Sequence, residues 1–334
     1  MDSITQGLLG AAVTQAVLGH RLGRRAWIYG AVGGMAADLD IFIRSPTDPL
    51  VGWRYHRHFT HSLAFVPIGG ILAALPWIVR KRFAQDRRDI ILGTTAGYAT
   101  HALLDAFTSY GTMLLWPLSD MRVAWSWVAI VDPIYSGILI AGVILAARRV
   151  SRRPARVALL LSSLYLVFGF VQRSRALGAA RALAQERGHP IERIDAYPSP
   201  PTNLVWRTTY LSDGHVWVDH ARLPWWGPAA VREGSSIELA TEDTLPAAVR
   251  DSPEALEGFR LFQWFARGWV GWDPTVPDVV GDLRYGASEE SSVSSMWGVV
   301  LRPEGQPVVD SYRADMSNAM GRRWRTLVGE EPEP

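Results

Sequence analysis

The stretch His56-Arg57-His58-Phe59-Thr60-His61-Ser62 leads into a run of 21 residues, Phe59 to Val79, that contains no Asp, Glu, Lys or Arg. A run of this length and apolar character is typical of a helix that crosses a membrane. Ionisable side chains at the start of such a run are costly in apolar surroundings unless they pair with one another or bind a metal. The stretch therefore predicts a membrane helix with a polar site at one end.

Five further apolar runs accompany this one, and together they predict six helices: Ile4–Gly19, Ala26–Ile43, Phe59–Val79, Asp89–Phe107, Val123–Ala147 and Val157–Val171. The first and the last are short for a hydrocarbon core of about 30 Å at about 1.5 Å per residue. The predicted fold class is mainly α, a multi-pass transmembrane helical bundle of about six helices with a smaller C-terminal α+β domain. A buried helical core of a soluble enzyme is the alternative.

Basic residues are unevenly distributed among the loops of this predicted bundle. The loops after the first, third and fifth runs hold thirteen Lys and Arg residues, whereas the intervening loops hold only Arg44, Arg54, Arg57 and Arg122. Because basic loops stay cytoplasmic, the polar clusters and the C-terminal domain are expected on the extracytoplasmic side. The arginines that follow the sixth run, at positions 173, 175, 181 and 187, argue against this orientation.

Composition excludes several classes of function. The chain has no cysteine, which rules out disulfides, thiolate metal ligands and cysteine nucleophiles. The formal charge of +2 is close to balance, and no phosphate-binding glycine motif lies between a strand and a helix. Nucleic acid is therefore not an expected partner, whereas the lipid bilayer is.

Two more polar clusters lie in the apolar half, at Asp38 and Asp40 and at His101 and Asp105. His101 and Asp105 are four residues apart and share one helix face. Antiparallel neighbours bring these clusters and the His56–Ser62 stretch to the same end of the predicted bundle. Imidazole and carboxylate groups are the ligand set of zinc, manganese and iron centres, so the three clusters predict a metal site.

Single members of these clusters also have plainer interpretations. Asp38 or Asp40 alone suits a helix cap or a salt bridge equally well, and both can bind only if the helix ends or loosens there. His58 fits a structural or substrate-facing role better than that of a ligand. A serine hydrolase built on Ser62 and His61 is disfavoured, because no nucleophile elbow is present.

Small residues recur at every fourth position before the first aspartate, at Ala26, Gly30 and Gly34. Such a row lets another helix approach closely. It predicts a packing seam that brings Asp38 to an interior face.

The C-terminal half changes character and predicts a hairpin, in which strands at 204–210 and 215–220 are joined by Ser212-Asp213-Gly214. Further elements are a helix at 255–267 and a strand at 292–301. His215 and His220 are interpreted as strand histidines in preference to ligands. Nine of the fifteen tryptophans lie after residue 200. Packing within a sheet and a position at a membrane interface are the two explanations for this enrichment. The predicted domains are 1–172 (helical, with the metal site), 173–190 (helical extension or linker), 191–329 (α+β) and 330–334 (disordered tail).

The order of these elements identifies a family resemblance. It rests on Met1-Asp2-Ser3-Ile4-Thr5, the acidic pair Asp38 and Asp40, the His56–Ser62 stretch, and His101-Ala102-Leu103-Leu104-Asp105-Ala106-Phe107-Thr108-Ser109-Tyr110-Gly111. Over about its first 180 residues the chain resembles the bacterial membrane-bound metal-dependent hydrolases of the YdjM-like family. The chain departs from the family pattern at Gln6, where relatives often have His, at His58 in place of Gly, and at Ala37 in place of Pro.

The resemblance implies a multi-pass protein of the bacterial inner membrane and a metal-dependent hydrolase. Carried over by position, it implies six metal ligands: Asp38, Asp40, His56, His61, His101 and Asp105. Six exceed the three protein ligands of a mononuclear catalytic zinc site. This excess favours a two-metal site, and the expected cofactor is one or two divalent ions, zinc or manganese.

These observations favour a hydrolase that cleaves an ester or phosphoester bond of a lipid or lipid-linked substrate with metal-activated water. Asp40 or Asp105 is the expected base where it is not a ligand, and Arg57 is expected to balance a phosphate or a developing oxyanion. The alternative is a non-catalytic metal-binding membrane protein that serves transport, sensing or scaffolding. Polar residues clustered at one depth favour a site over a transport path.

Overall fold

Helix α1 (Ser3–Leu22) opens the computed structural model, which describes residues 1–286, 293–305 and 307–314. Asp2 caps α1 by accepting a hydrogen bond from the backbone N–H of Thr5 at 2.9 Å. Helix α2 (Ala26–Ala36) follows and tightens into a 3-10 helix over Ala37–Phe42. Tightening at this point changes the direction of the two aspartate side chains that follow α2.

The remaining helical segments continue to residue 186. They are α3 (Val51–Tyr55), α4 (Val66–Ile78), α5 (Arg87–Ala106), α6 (Pro133–Arg149) and α7 (Arg153–Glu186), with 3-10 turns at Gly23–Arg25, Phe59–His61, Leu63–Phe65 and Lys81–Phe83. Chain contacts divide the protein into two units. The first consists of Met1–Ile43, Tyr55–Val171 and Pro200–Asn203; the second consists of Arg44–Arg54, Gln172–Ser199 and the described residues from Leu204 onward. The predicted boundary at residue 172 therefore falls within α7.

The prediction of a six-helix transmembrane bundle is wrong. Among the described residues, α7 is the one helix long and apolar enough to cross a membrane, and 28% of its most apolar 18-residue stretch is buried. A second candidate consists of the segments Val51–His61 and Leu63–Ile78, which are long and apolar enough only when taken together and are bent by 60° at the break between them. The expected multi-pass arrangement and the sidedness derived from it lose their basis, because both rested on six alternating spans.

Local hydrogen bonds explain why the apolar runs do not become continuous spans. The run at 59–79 breaks at Ser62, whose hydroxyl accepts from the Phe65 backbone N–H and starts a new turn. The run at 123–147 becomes helical only at Pro133, because the carboxylate of Asp132 accepts from the N–H groups of Ile134 and Tyr135. Hydropathy does not register such caps.

A seam of glycines packs α1, α2 and α5 together, as the row of small residues predicts. A Cβ on Gly30 would lie 2.1 Å from the carbonyl oxygen of Gly10, and one on Gly97 would lie 2.2 Å from the carbonyl oxygen of Gly30. A Cβ on Gly34 would lie 2.5 Å from the Gln6 carbonyl oxygen. Only glycine permits these backbone contacts, which hold the three helices at short distance.

The second unit contains two four-stranded antiparallel sheets. The first has the order β1 (Arg193–Pro198), β2 (Val205–Ser212), β3 (His215–Arg222), β4 (Ala230–Glu238), and the second β5 (Val270–Trp272), β6 (Val279–Asp282), β7 (Trp297–Leu301), β8 (Val309–Arg313). Strands β2 and β3 pair from Ser212 and His215 outward, which confirms the predicted hairpin. Helices α8 (Ala247–Asp251) and α9 (Pro253–Phe265) lie between the sheets in sequence, and α9 matches the predicted helix. Residue 292, where a strand was expected to begin, and the expected tail at 330–334 lie outside the described residues.

Candidate metal centre

Two buried imidazoles face each other in the first unit. The Nε2 atoms of His61 and His101 are 2.9 Å apart, and both side chains are fully buried. The opposite nitrogens meet acceptors: Nδ1 of His101 lies 2.5 Å from the carbonyl oxygen of Gly34, and Nδ1 of His61 lies 3.2 Å from Oδ2 of Asp40. When these acceptors take the ring protons at Nδ1, both Nε2 atoms present lone pairs to a metal ion. Two lone pairs this close repel each other unless a proton or a metal ion lies between or beside them.

Two carboxylates complete the inner cluster. Oδ1 of Asp38 lies 3.4 Å from Nε2 of His101 and 3.7 Å from Nε2 of His61. Oδ2 of Asp105 lies 3.4 Å from Nε2 of His61 and 3.7 Å from Nε2 of His101. Ligands about 2.05 Å from a tetrahedral zinc ion are about 3.3 Å apart, so these separations match a small ion. Donor atoms of Asp38, His61 and His101 all lie within 4.8 Å of one another, the one such group found in the described chain.

Asp40 lies behind the imidazoles. Its Oδ1 is 2.7 Å from Nδ1 of His56, and its Oδ2 accepts from the Arg57 backbone N–H and the Thr60 hydroxyl, both at 2.9 Å. Both oxygens are therefore engaged, and the same Oδ2 faces Nδ1 of His61. A carboxylate behind a ligating histidine fixes its ring orientation and raises its basicity.

Arg57 neutralises the buried Asp105. Its Nε lies 3.0 Å from Oδ2 of Asp105, its Nη1 donates to the Thr108 hydroxyl at 3.2 Å, and its guanidinium stacks 4.7 Å from the centre of the Tyr110 ring. The Arg57 backbone is left-handed, with a φ of 63°. A non-glycine residue in this region costs of order 1–3 kcal/mol, which the surrounding contacts must offset.

Gln6 is a site residue that the sequence prediction did not include. Its Nε2 donates to Oδ1 of Asp105 at 2.7 Å, and the same oxygen accepts from the Met1 ammonium. Gln6 therefore holds Asp105 in place through this hydrogen bond. The sequence signal for this role was the departure from the family pattern at position 6, where Gln6 stands in place of the His that relatives often have.

Neighbouring charges keep the two inner carboxylates ionised. Burial alone raises the pKa of Asp105, but Arg57 and the Met1 ammonium hold that pKa well below its ordinary value. Burial likewise raises the pKa of Asp38; without a metal ion, hydrogen bonds from His101 and His61, when they carry a proton on Nε2, and from the Ser3 hydroxyl lower it by more. Both groups are anionic at neutral pH, as metal ligation requires.

Local structure explains how distant residues meet here. Because α2 gives way to a 3-10 helix at Ala37, Asp38 and Asp40 reach two sides of the histidine pair. The 3-10 turn Phe59–His61 supplies His61, and α5 supplies His101 and Asp105 one turn apart. The expectation that the helix loosens if both aspartates take part agrees with this geometry.

The other sequence candidates lie outside the inner cluster. His56 contacts Asp40 and its side chain is 25% exposed. His58 packs against Phe59 and Trp116, and burial together with Arg122 lowers its pKa. The structure thus brings together Asp38, His61, His101 and Asp105, and sets His56 and Asp40 in an outer layer.

One comparison with known proteins matches the chain. The model of a family described as YdjM inner membrane protein matches residues 1–176, more than half of the chain and all of the site described above. No curated protein and no solved structure matches.

Proposed function

The chain belongs to the YdjM inner membrane protein family, and from that premise we propose that it is a membrane-associated, metal-dependent hydrolase. The observation that carries the proposal is the pair of Nε2 atoms 2.9 Å apart in His61 and His101. Each ring is held by an acceptor at Nδ1, and two anionic carboxylates flank the pair. This arrangement fits a divalent cation better than an empty protein core.

Asp38, His61 and His101 are the proposed ligands, and Asp105 is the proposed fourth donor. Nitrogen and oxygen donors of this kind suit zinc and manganese. We propose a single ion. A second ion would need His56 and Asp40 as ligands, but both oxygens of Asp40 are already engaged in hydrogen bonds. When bound, such an ion supplies Lewis acidity and lowers the pKa of water.

The surrounding residues supply positioning and charge. Asp40 acts through His61 and His56, which it orients, and not as a base of its own. Arg57 places a buried positive charge beside Asp105, where it favours a phosphoester or another anionic ester. The Asp38 side chain is 13% exposed while His61, His101 and Asp105 are fully buried, so substrate reaches the donors from the Asp38 side.

The substrate class is proposed from this chemistry and from the membrane family. An ester or phosphoester bond in a lipid or lipid-linked molecule would be accessible to an enzyme that is associated with the membrane. The test is hydrolysis of bis(4-nitrophenyl) phosphate and of phosphatidic acid by the full chain in detergent, supplied with zinc or manganese. We expect turnover in the parent protein and in His215→Ala, which removes an exposed histidine of the second unit, and at least a hundredfold loss in His61→Ala.

Equal turnover in the parent protein and His61→Ala would contradict the proposal. So would a metal-loaded protein that hydrolyses neither substrate. The second result would favour the other candidate, a closed metal site that serves transport, sensing or assembly.

Burial supports that second candidate, because three of the four donors have no solvent-accessible surface. Structural metal sites are closed, whereas catalytic sites keep one position open to water. Water-proton relaxation of the manganese-loaded protein separates the two. Enhanced relaxation indicates a coordination position open to water, as a hydrolase requires, and relaxation without enhancement indicates a closed site.

A further inference from the structure

Two adjacent indoles project from the second unit in the segment 223–228, the Trp loop. Trp225 is 41% exposed and Trp226 is 83% exposed, and their ring centres are 6.0 Å apart. By contrast, Trp206, Trp269 and Trp297 of the same unit are buried among the sheets. Sheet packing therefore accounts for those three tryptophans but not for the exposed pair.

The Trp loop is fixed to helix α7. Arg175 donates from Nη1 to the Pro224 carbonyl oxygen at 2.9 Å and from Nη2 to the Gly227 carbonyl oxygen at 2.6 Å. Gln172 donates to the Leu223 carbonyl oxygen at 3.1 Å. Three loop carbonyls are thus satisfied by the helix, two of them by a charged donor, which strengthens the bonds. The two indoles hold a defined position along α7.

The attachment point coincides with the end of an apolar stripe on α7. Seven large apolar residues before it are 45–60% exposed: Val157, Leu160, Leu161, Leu164, Val167, Phe170 and Val171. The stripe covers about 21 Å of helix at 1.5 Å per residue. It ends at Val171, one residue before Gln172, and arginines lie at its other end, at positions 148, 149, 152, 153 and 156.

We propose that the Trp loop anchors the protein in the headgroup region of a phospholipid bilayer, at the C-terminal end of the apolar stripe of α7. Tryptophan is enriched at this depth because its ring is apolar and its N–H is polar. Satisfied loop carbonyls reduce the cost of placing backbone in that layer. The proposal is independent of the metal centre, since it rests on residues of α7 and the Trp loop alone.

The absence of cysteine permits a direct test. A nitroxide is attached to the single cysteine of Trp226→Cys in the full chain, reconstituted in phosphatidylethanolamine–phosphatidylglycerol nanodiscs. The control is Glu254→Cys, at an exposed position at the start of α9. Power-saturation measurements compare accessibility to oxygen, which enters lipid, with accessibility to a water-soluble nickel chelate. We expect the label at 226 to favour oxygen several-fold more than the control label does.

Equal ratios at the two positions would place the Trp loop in water and overturn the proposal. Protection from both reagents would also overturn it, because this result indicates a protein partner over the loop. A second measurement guards against a perturbing label: quenching of fluorescence by headgroup-proximal brominated lipid should be smaller in Trp225→Phe/Trp226→Phe than in the parent protein. Unchanged quenching would count against the anchor.

Discussion

Asp40 orients the histidines of the centre from behind, because its carboxylate contacts Nδ1 of His61 on the side away from the facing Nε2 atoms. It holds His56 through one oxygen and presents the other to His61, Thr60 and the Arg57 backbone. The sequence shows two aspartates one residue apart, but this spacing does not say which carboxylate meets which imidazole. That assignment depends on the 3-10 geometry after Ala36, which composition and hydropathy do not encode.

Asp40→Asn should weaken metal binding about tenfold to a hundredfold, because the neutral amide orients His61 poorly and lowers its basicity. Competition with a calibrated chelator measures the effect. Asp89→Asn is the matched control, since Asp89 forms a surface pair with Arg21 at the end of α5 opposite His101 and Asp105. Equal affinities in the parent protein and Asp40→Asn would contradict the outer-layer role.

Arg57→Ala should reduce the free energy of unfolding by about 3–5 kcal/mol, because it leaves the buried Asp105 without its guanidinium partner. Relief of the left-handed backbone does not offset this loss, since alanine is also strained there. Thermal unfolding in detergent checks the effect against Arg21→Ala, which breaks an exposed pair and should cost about 0–1 kcal/mol. Similar melting temperatures for the two variants would show that Arg57 does not compensate Asp105.

The glycine seam links helix packing to the metal centre at the level of elements. Gly34 lies on the seam against α1, and its carbonyl oxygen accepts from Nδ1 of His101 on α5. The four-residue spacing of small residues was sufficient to predict this seam. By contrast, the helix boundaries at Ala36, Ser62 and Asp132 depend on individual side-chain or backbone hydrogen bonds, so a long apolar run alone does not predict a continuous span.

Gly30→Ala should destabilise the first unit by at least about 1–3 kcal/mol and release metal, because the new Cβ would overlap the Gly10 carbonyl oxygen. Gly137→Ala is the control on α6, where an added Cβ meets no atom within 4 Å. That variant should be neutral or slightly stabilising, since alanine favours helix over glycine. Thermal unfolding and metal content are measured together. A Gly30→Ala protein as stable as the control would show that the helices separate easily at the seam.

At the scale of the whole molecule, the four donors belong to the first unit and the two sheets belong to the second. The sequence predicted this change of character and the β2–β3 hairpin, because strand alternation and a turn motif are local signals. The helical extension or linker expected at 173–190 corresponds to the second half of α7, which continues unbroken from Arg153 to Glu186.

Chelation should therefore act on one part of the chain. Removal of the ion should speed amide hydrogen exchange in α5 and in the 3-10 segments Ala37–Phe42 and Phe59–His61, because these segments lose the ligand bonds that stabilise the folded state. Exchange in β1–β4 should not change. Mass spectrometry of peptides from both regions measures this, and an equal increase in the sheet would show that the ion is not confined to the first unit.

The metal content of the purified full chain tests the central claim most directly. Parent protein and His215→Ala should each retain about one zinc or manganese ion per chain after gel filtration, as a single inner cluster requires. His61→Ala and His101→Ala should retain less than about a tenth of that amount, because each removes one of the facing imidazoles. Metal that persists in both inner variants, or a parent protein that binds none, would contradict the proposed centre.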